Sequence, residues 1–175
     1  MNNLDKKNYF QRFDLEESFN IDLEILEEKY LSAQSEFHPD KLIDKSHEER
    51  VNSEMNSILL NEAYEVLKDA LARAIYFFKV KVGIDINNDA SCKIKPSQKI
   101  LLENLELREL IFETESKEIL IDLRKKALVD IKQILKLSKS DFINKKYDEC
   151  AMKLIEARYI DKTISEIKRK IIKLS

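Results

Sequence analysis

Turn-forming residues are scarce in this chain. Its 175 residues include one glycine, Gly83, and two prolines, Pro39 and Pro96. Hairpins draw heavily on such residues, so the chain cannot easily make many of them and an all-α fold is expected. Cysteine is equally sparse. Cys92 and Cys150 stand far apart, which leaves no CxxC pair and no disulfide framework, and suits a reducing compartment. No uninterrupted apolar run approaches the ~20 residues of a bilayer span. The segment Met1 to Lys7 also lacks the apolar stretch of a signal peptide. An excess of positive charge is missing too: 31 basic and 33 acidic residues give a net charge of −2, mixed along the whole chain. Nucleic-acid binding needs a concentrated cationic face, and no segment supplies one. The expectation is a soluble, cytoplasmic protein, long enough for one or two domains.

What is abundant is helix-forming pattern. The chain is 43% hydrophobic and 37% charged. Asn8 to Phe13 brings three aromatics close together in a segment too short to be an independent helix, so its rings must pack on the helices C-terminal to it. Asp22 serves as an N-cap, after which Leu23, Leu26, Tyr30, Ala33 and Phe37 recur at helical spacing and define one face. Proline ends this helix at His38, because Pro39 has no N–H and pushes its predecessor out of the helical region. Ser46 and Glu49 have the spacing of a capping box. The helix they open takes its apolar side from Val51, Met55, Ile58, Leu59, Tyr64, Val66 and Leu67, and the short connection makes it an antiparallel neighbour of the first. The result is a helical hairpin with His38-Pro39-Asp40 at its tip.

A third pattern runs from about Ala70 to Val82 and stops at Gly83. The stretch 83–96, with Asn87-Asn88-Asp89, is the one shift in composition, which places a linker between a domain at 1–82 and another at 97–175. Ser97 caps the next helix. Further on, Leu120, Leu123, Ala127, Ile131, Ile134 and Leu135 mark an amphipathic helix, Ser138 to Asp141 mark a turn, and Ile160, Ile164, Ile167, Ile171 and Leu174 form a closing seam. Three such helices with short turns predict an antiparallel bundle.

The tip carries chemistry. Pro39 fixes the backbone between His38 and Asp40, and a displayed carboxylate suits an arginine on a partner. With Lys41 beside it, and Tyr9, Phe10 and Phe13 preceding the hairpin, the region from Asn8 to Val80 resembles the J-domain of co-chaperones that stimulate DnaK-type ATPases. The resemblance implies that His38, Pro39, Asp40 and Lys41 engage the ATP-bound chaperone and couple docking to hydrolysis. J-domains usually carry a basic face on the helix before the motif. Here Asp22, Glu24, Glu27, Glu28 and Glu36 outnumber Lys29, so Lys41, Lys45 and Arg50 near the tip are the alternative docking groups.

The second signal is the run Lys99 to Glu113. At ~100° per residue, Ile100, Leu107, Leu110 and Ile111 gather on one side while Leu101, Leu105 and Phe112 gather opposite. Leu102 lies beside this second stripe, edged by Glu106, Glu109 and Glu113. Such a helix either buries both stripes in a core or opens one to a partner, and an apolar strip edged with acid fits a partly basic protein. Leu105-Glu106-Leu107-Arg108-Glu109, placed after a J-domain and a linker, resembles the C-terminal domain of the HscB family, the J-proteins of iron–sulfur cluster assembly. Arg158-Tyr159-Ile160-Asp161-Lys162 resembles a later part of that domain. The resemblance implies a scaffold-binding surface of Leu101, Leu102, Leu105, Glu106, Glu109, Glu113, Arg158 and Tyr159, partners of the HscA type (ATPase chaperone) and the IscU type (iron–sulfur scaffold), and no cofactor. The absence of cysteines before Cys92 matches the bacterial form, since some eukaryotic relatives carry an N-terminal cysteine-rich metal motif.

An enzyme is not expected. His38 and Asp40 have no recognisable nucleophile or phosphate loop with them, and His47 and Cys150 lack companions at metal-ligand spacing. Two readings stand beside the leading one: a general J-domain co-chaperone with another client, and a structural helical adaptor in which the tip is only a turn.

Overall fold

Most helix starts are set by capping side chains. A computed structural model describes residues 4–37, 46–88 and 92–174, and among these the regular structure is entirely helical. Asp22 accepts from the amides of Glu24 and Ile25 to open α2 (Leu23–Glu36), and Ser46 and Glu49 form the reciprocal capping box of α3 (His47–Lys68). Even the short aromatic segment makes one turn, α1 (Tyr9–Arg12), because Asn8 and Gln11 close a second capping box. Asp69 accepts from Ala72 N at 2.7 Å at the start of α4 (Ala70–Val82). Ser97 opens α5 (Gln98–Glu113), Ser116 opens α6 (Lys117–Ile143), and α7 (Tyr147–Lys173) closes the chain. The chain divides into two compact units, Met1–Lys81 and Val82–Ser175.

In the first unit α2 and α3 form a hairpin. Tyr64 donates to Glu27, Tyr30 Oη to Asn61 Oδ1 at 2.9 Å, and Ser57 Oγ to Gln34 Oε1 at 3.1 Å. As the number rises on one helix it falls on the other, so the two are antiparallel. The rings of Tyr30 and Tyr64 stack with centroids 4.0 Å apart. The α1 aromatics pack as expected: Tyr9 stacks on Tyr76 at 4.1 Å, Phe10 sits edge-on to Phe77, and Phe13 edge-on to Tyr30. Arg12 ties α1 to α3 by donating to the Leu59 carbonyl at 2.7 Å. Arg73 is buried, its Nε donating to the Phe19 carbonyl at 3.0 Å, and burial lowers its pKa.

Leu67 is buried as expected, and Leu59, Tyr64 and Val66 partly so, but the rest of the α3 core face differs from the expected one. Ser53, Leu60, Ala63 and Leu67 are buried, whereas Val51, Met55 and Ile58 are exposed. Ser53, Leu60 and Leu67 lie seven residues apart and share an azimuth; at 100° per residue Val51, Met55 and Ile58 fall on the far side. Leu23 is likewise exposed, leaving Leu26 as the buried anchor of α2.

In the second unit α7 is the central helix. Leu120 of α6 packs with Ile167 and Ile111, and Ala127 and Ile131 pack with Ile164, while Lys153 pairs with Asp141 at 2.5 Å at the other end. The expected turn at Ser138 to Asp141 does not form. Ser138 is buried and back-bonds to the Ile134 carbonyl at 2.8 Å, so α6 continues to Ile143. The reversal falls at Asn144 to Lys146, where Lys145 takes φ +59°. After α4, Gly83 adopts φ +79°, the left-handed geometry that ends a helix at little cost. The segment beyond Gly83 belongs to the second unit, with Ile86 and Cys92 buried.

Candidate functional site

Of the two sequence signals, the His38-Pro39-Asp40-Lys41 tip and Lys45 lie outside the described residues. The segments approaching it are described: α2 ends with Phe37 N donating to the Gln34 carbonyl at 3.1 Å, and Arg50 lies in the opening turn of α3.

The second signal is fully described. One side of α5 faces α7: Ile111 is buried and Leu107 packs beside it. Three polar links fix this face. Asn104 Nδ2 donates to Thr163 Oγ1 at 3.0 Å and to the Tyr159 carbonyl at 3.4 Å, Arg108 forks onto both Glu166 oxygens at 2.5 and 3.0 Å, and Lys170 donates to the Phe112 carbonyl at 2.5 Å. Partner numbers rise together, so α5 runs parallel to α7. The arginine fork is the strongest of these geometries, and the Glu166 carboxylate raises the Arg108 pKa. Anchored this way, α5 turns its other stripe outward. Leu101 is 44% exposed, Leu102 57%, Leu105 54% and Phe112 83%, with Glu106, Glu109 and Glu113 exposed along the edge. Isolated exposed leucines are ordinary, but these lie side by side in one stripe with carboxylates along its edge.

Arg158 and Tyr159 divide. Arg158 Nη1 donates to the Ile86 carbonyl at 2.7 Å and reaches Asn87 Oδ1 at 3.4 Å, so its guanidinium secures the segment after Gly83. Tyr159 is half-buried and lines a cleft together with Glu106, which joins it to the α5 surface. This cleft between α5 and α6, about 720 Å³, was not read from the sequence. Leu110, grouped with the bundle-facing stripe, lies half-exposed at this cleft; its 100° step from Ile111 swings it off α7.

Nothing among the described residues forms a cluster of three or more metal-ligating side chains. Cys150 is buried and its thiol is pushed up to about 12, chiefly by burial and then by the Asp141 charge, with Lys153 opposing. His47 sits exposed in the first turn of α3. Among the described residues no helix is long and apolar enough to cross a membrane.

This architecture has relatives. A family model described as the HSCB C-terminal oligomerisation domain matches residues 96–168. A co-chaperone protein HscB homolog of Neisseria meningitidis serogroup C is 32% identical over 162 residues, covering 91% of this chain and 96% of the relative. The chain belongs to the HscB co-chaperone family. The human iron–sulfur cluster co-chaperone protein HscB is 29% identical, over 96% of this chain and 70% of its own length. The crystal structure of the human HscB protein superposes with a TM-score of 0.82 at 28% identity, covering 96% of this chain and 84% of that one. Within the HscB frame, the matched C-terminal region contains the outward stripe of α5, the cleft and Tyr159.

Proposed function

We propose that this HscB-family chain is a non-enzymatic, cytoplasmic co-chaperone that stimulates an HscA- or DnaK-type ATPase and delivers an IscU-type iron–sulfur scaffold to it. The observation that carries the reading is the outward α5 stripe of Leu101, Leu102 and Leu105 edged by Glu106, Glu109 and Glu113, on a helix anchored to α7 through Asn104, Arg108 and Ile111. An apolar strip with an acidic rim gives burial energy from its centre and orientation from its edge, which is how one protein presents another. Tyr159 completes that surface, with Arg158 beside it bracing the 86–87 segment.

On this reading the region 1–82 is the J-domain, 83–96 a linker and 97–175 the scaffold-binding bundle. His38, Pro39, Asp40 and Lys41 engage the chaperone, with the Asp40 carboxylate taking an arginine of the ATPase. The name of the human relative, an iron–sulfur cluster co-chaperone, supports the choice of client. Replacing Asp40 by Asn is expected to abolish ATPase stimulation while leaving the far-UV circular dichroism spectrum unchanged. Stimulation equal to that of the parent chain would overturn the assignment of the tip.

A further inference from the structure

The cleft between α5 and α6 arises because both helices lean on α7 more than on each other. Asn104 and Arg108 hold α5 to α7, and Leu120, Ile131 and their α7 partners hold α6. The gap between them is walled by apolar side chains that no described element covers: Leu110 on α5 is 44% exposed and Leu137 on α6 is 46% exposed. Its volume of about 720 Å³ is that of a site for several side chains rather than one.

Its charge leans acidic. Glu103 and Glu106 line it from α5, Asp130 from α6 and Glu156 from α7, against Lys126 and Lys153. Lys153 is already engaged by Asp141 at 2.5 Å, and Lys99 lies 3.7 Å from Glu103. Burial, then the charge of Glu103, holds the Glu156 carboxyl above its ordinary value; Lys153 and Lys99 oppose this and Asp130 adds to it. The cleft therefore has an acidic side that its own lysines leave under-compensated.

We infer that this cleft is a second contact for the scaffold, seating an apolar segment whose lysine or arginine enters between Glu103, Asp130 and Glu156. A cation there would meet three carboxylates while its flanking apolar side chains cover Leu110 and Leu137. A second copy of this chain fits poorly, since a two-fold pairing would bring the same carboxylates face to face. The identity of the occupant rests on the proposed function; the acidic apolar cleft itself does not. Its α6 wall lies apart from the α5 stripe, so the two contacts can be tested separately.

The test is a calorimetric titration of the full chain with an IscU-type scaffold free of its cluster. Asp130→Lys and Leu137→Glu are each expected to weaken binding by about tenfold or more, with the Asp130 effect shrinking as salt is added. Asp130→Asn and Leu137→Ala, milder changes at partly exposed positions, should weaken it less but in the same direction, and thermal melts report whether each variant is folded. Unchanged affinity for folded cleft variants, while Leu101→Ala with Leu105→Ala weakens binding, would overturn the inference and leave the proposed function standing. If neither set weakens binding, the proposed function fails as well. Loss of a dimer in sedimentation, with scaffold affinity unchanged, would assign the cleft to a second copy and overturn the inference.

Discussion

Replacing Leu101 and Leu105 together by alanine should separate binding from folding. Both side chains are about half exposed, at 44% and 54%, and neither belongs to the buried clusters that join α5, α6 and α7. Complete burial of a leucine is worth about 1.5–3 kcal/mol, so covering the half that is open contributes about 1 kcal/mol apiece. Truncation therefore removes about 2 kcal/mol from binding, a loss of roughly thirtyfold in affinity. Stability should change little, because substitutions away from the core usually stay within about 0.5 kcal/mol and alanine favours helix. Calorimetric titration with the scaffold gives the first quantity and a urea melt the second. An affinity within threefold of the parent chain, with the urea midpoint unchanged, would refute the assignment of this stripe. A large fall in the midpoint would show that the stripe belongs to the core.

Two other sites give testable outcomes. Glu17 accepts from Asn8 Nδ2 at 2.6 Å and pairs with Lys81 at 2.5 Å, and the Lys81 bond, then the Asn8 bond, hold its carboxyl below the ordinary 4.5. A depressed folded value stabilises the fold above pH 4.5 and is lost as pH falls through that folded value. Glu17→Gln should thus cost about 1 kcal/mol at neutral pH, with the gap closing in acid; an equal gap at both extremes in denaturant melts would contradict the pairing. Cys150, buried and with its thiol raised to about 12, should resist alkylation at pH 8 until the chain is unfolded, and fast modification of the native protein seen by mass spectrometry would show that α7 is less enclosed than described.

Much of the fold was legible because local chemistry sets helix starts. Asp22, Ser46 with Glu49, and Ser97 all cap where their spacing says, and Gly83 ends α4 with the positive φ that favours glycine. Two kinds of feature were less legible. Ser138 reads as a turn residue, yet its hydroxyl can bond four residues back, and its burial makes continuation the better state. The exposed Val51, Met55 and Ile58 are apolar at helical spacing, like a core face, and only the packing of Ser53, Leu60 and Leu67 decides which side turns inward.

The candidate site was legible in the same uneven way. Two stripes on α5 are set by 100° steps, but which one opens depends on Asn104 and Arg108 finding Thr163 and Glu166 on a helix more than fifty residues later. No periodicity encodes the cleft, because it is a gap between two helices that share a third. Arg158 is adjacent to Tyr159 in sequence, yet the two side chains turn to different neighbours, since consecutive residues on a helix lie 100° apart.

The most direct test of the proposed coupling of a scaffold to a chaperone is the steady-state ATPase turnover of an HscA-type chaperone, measured with the chain alone, with the scaffold alone and with both. Coupling predicts that the chain alone stimulates turnover and that both together exceed the sum of their separate effects. Turnover no greater than that sum would contradict it.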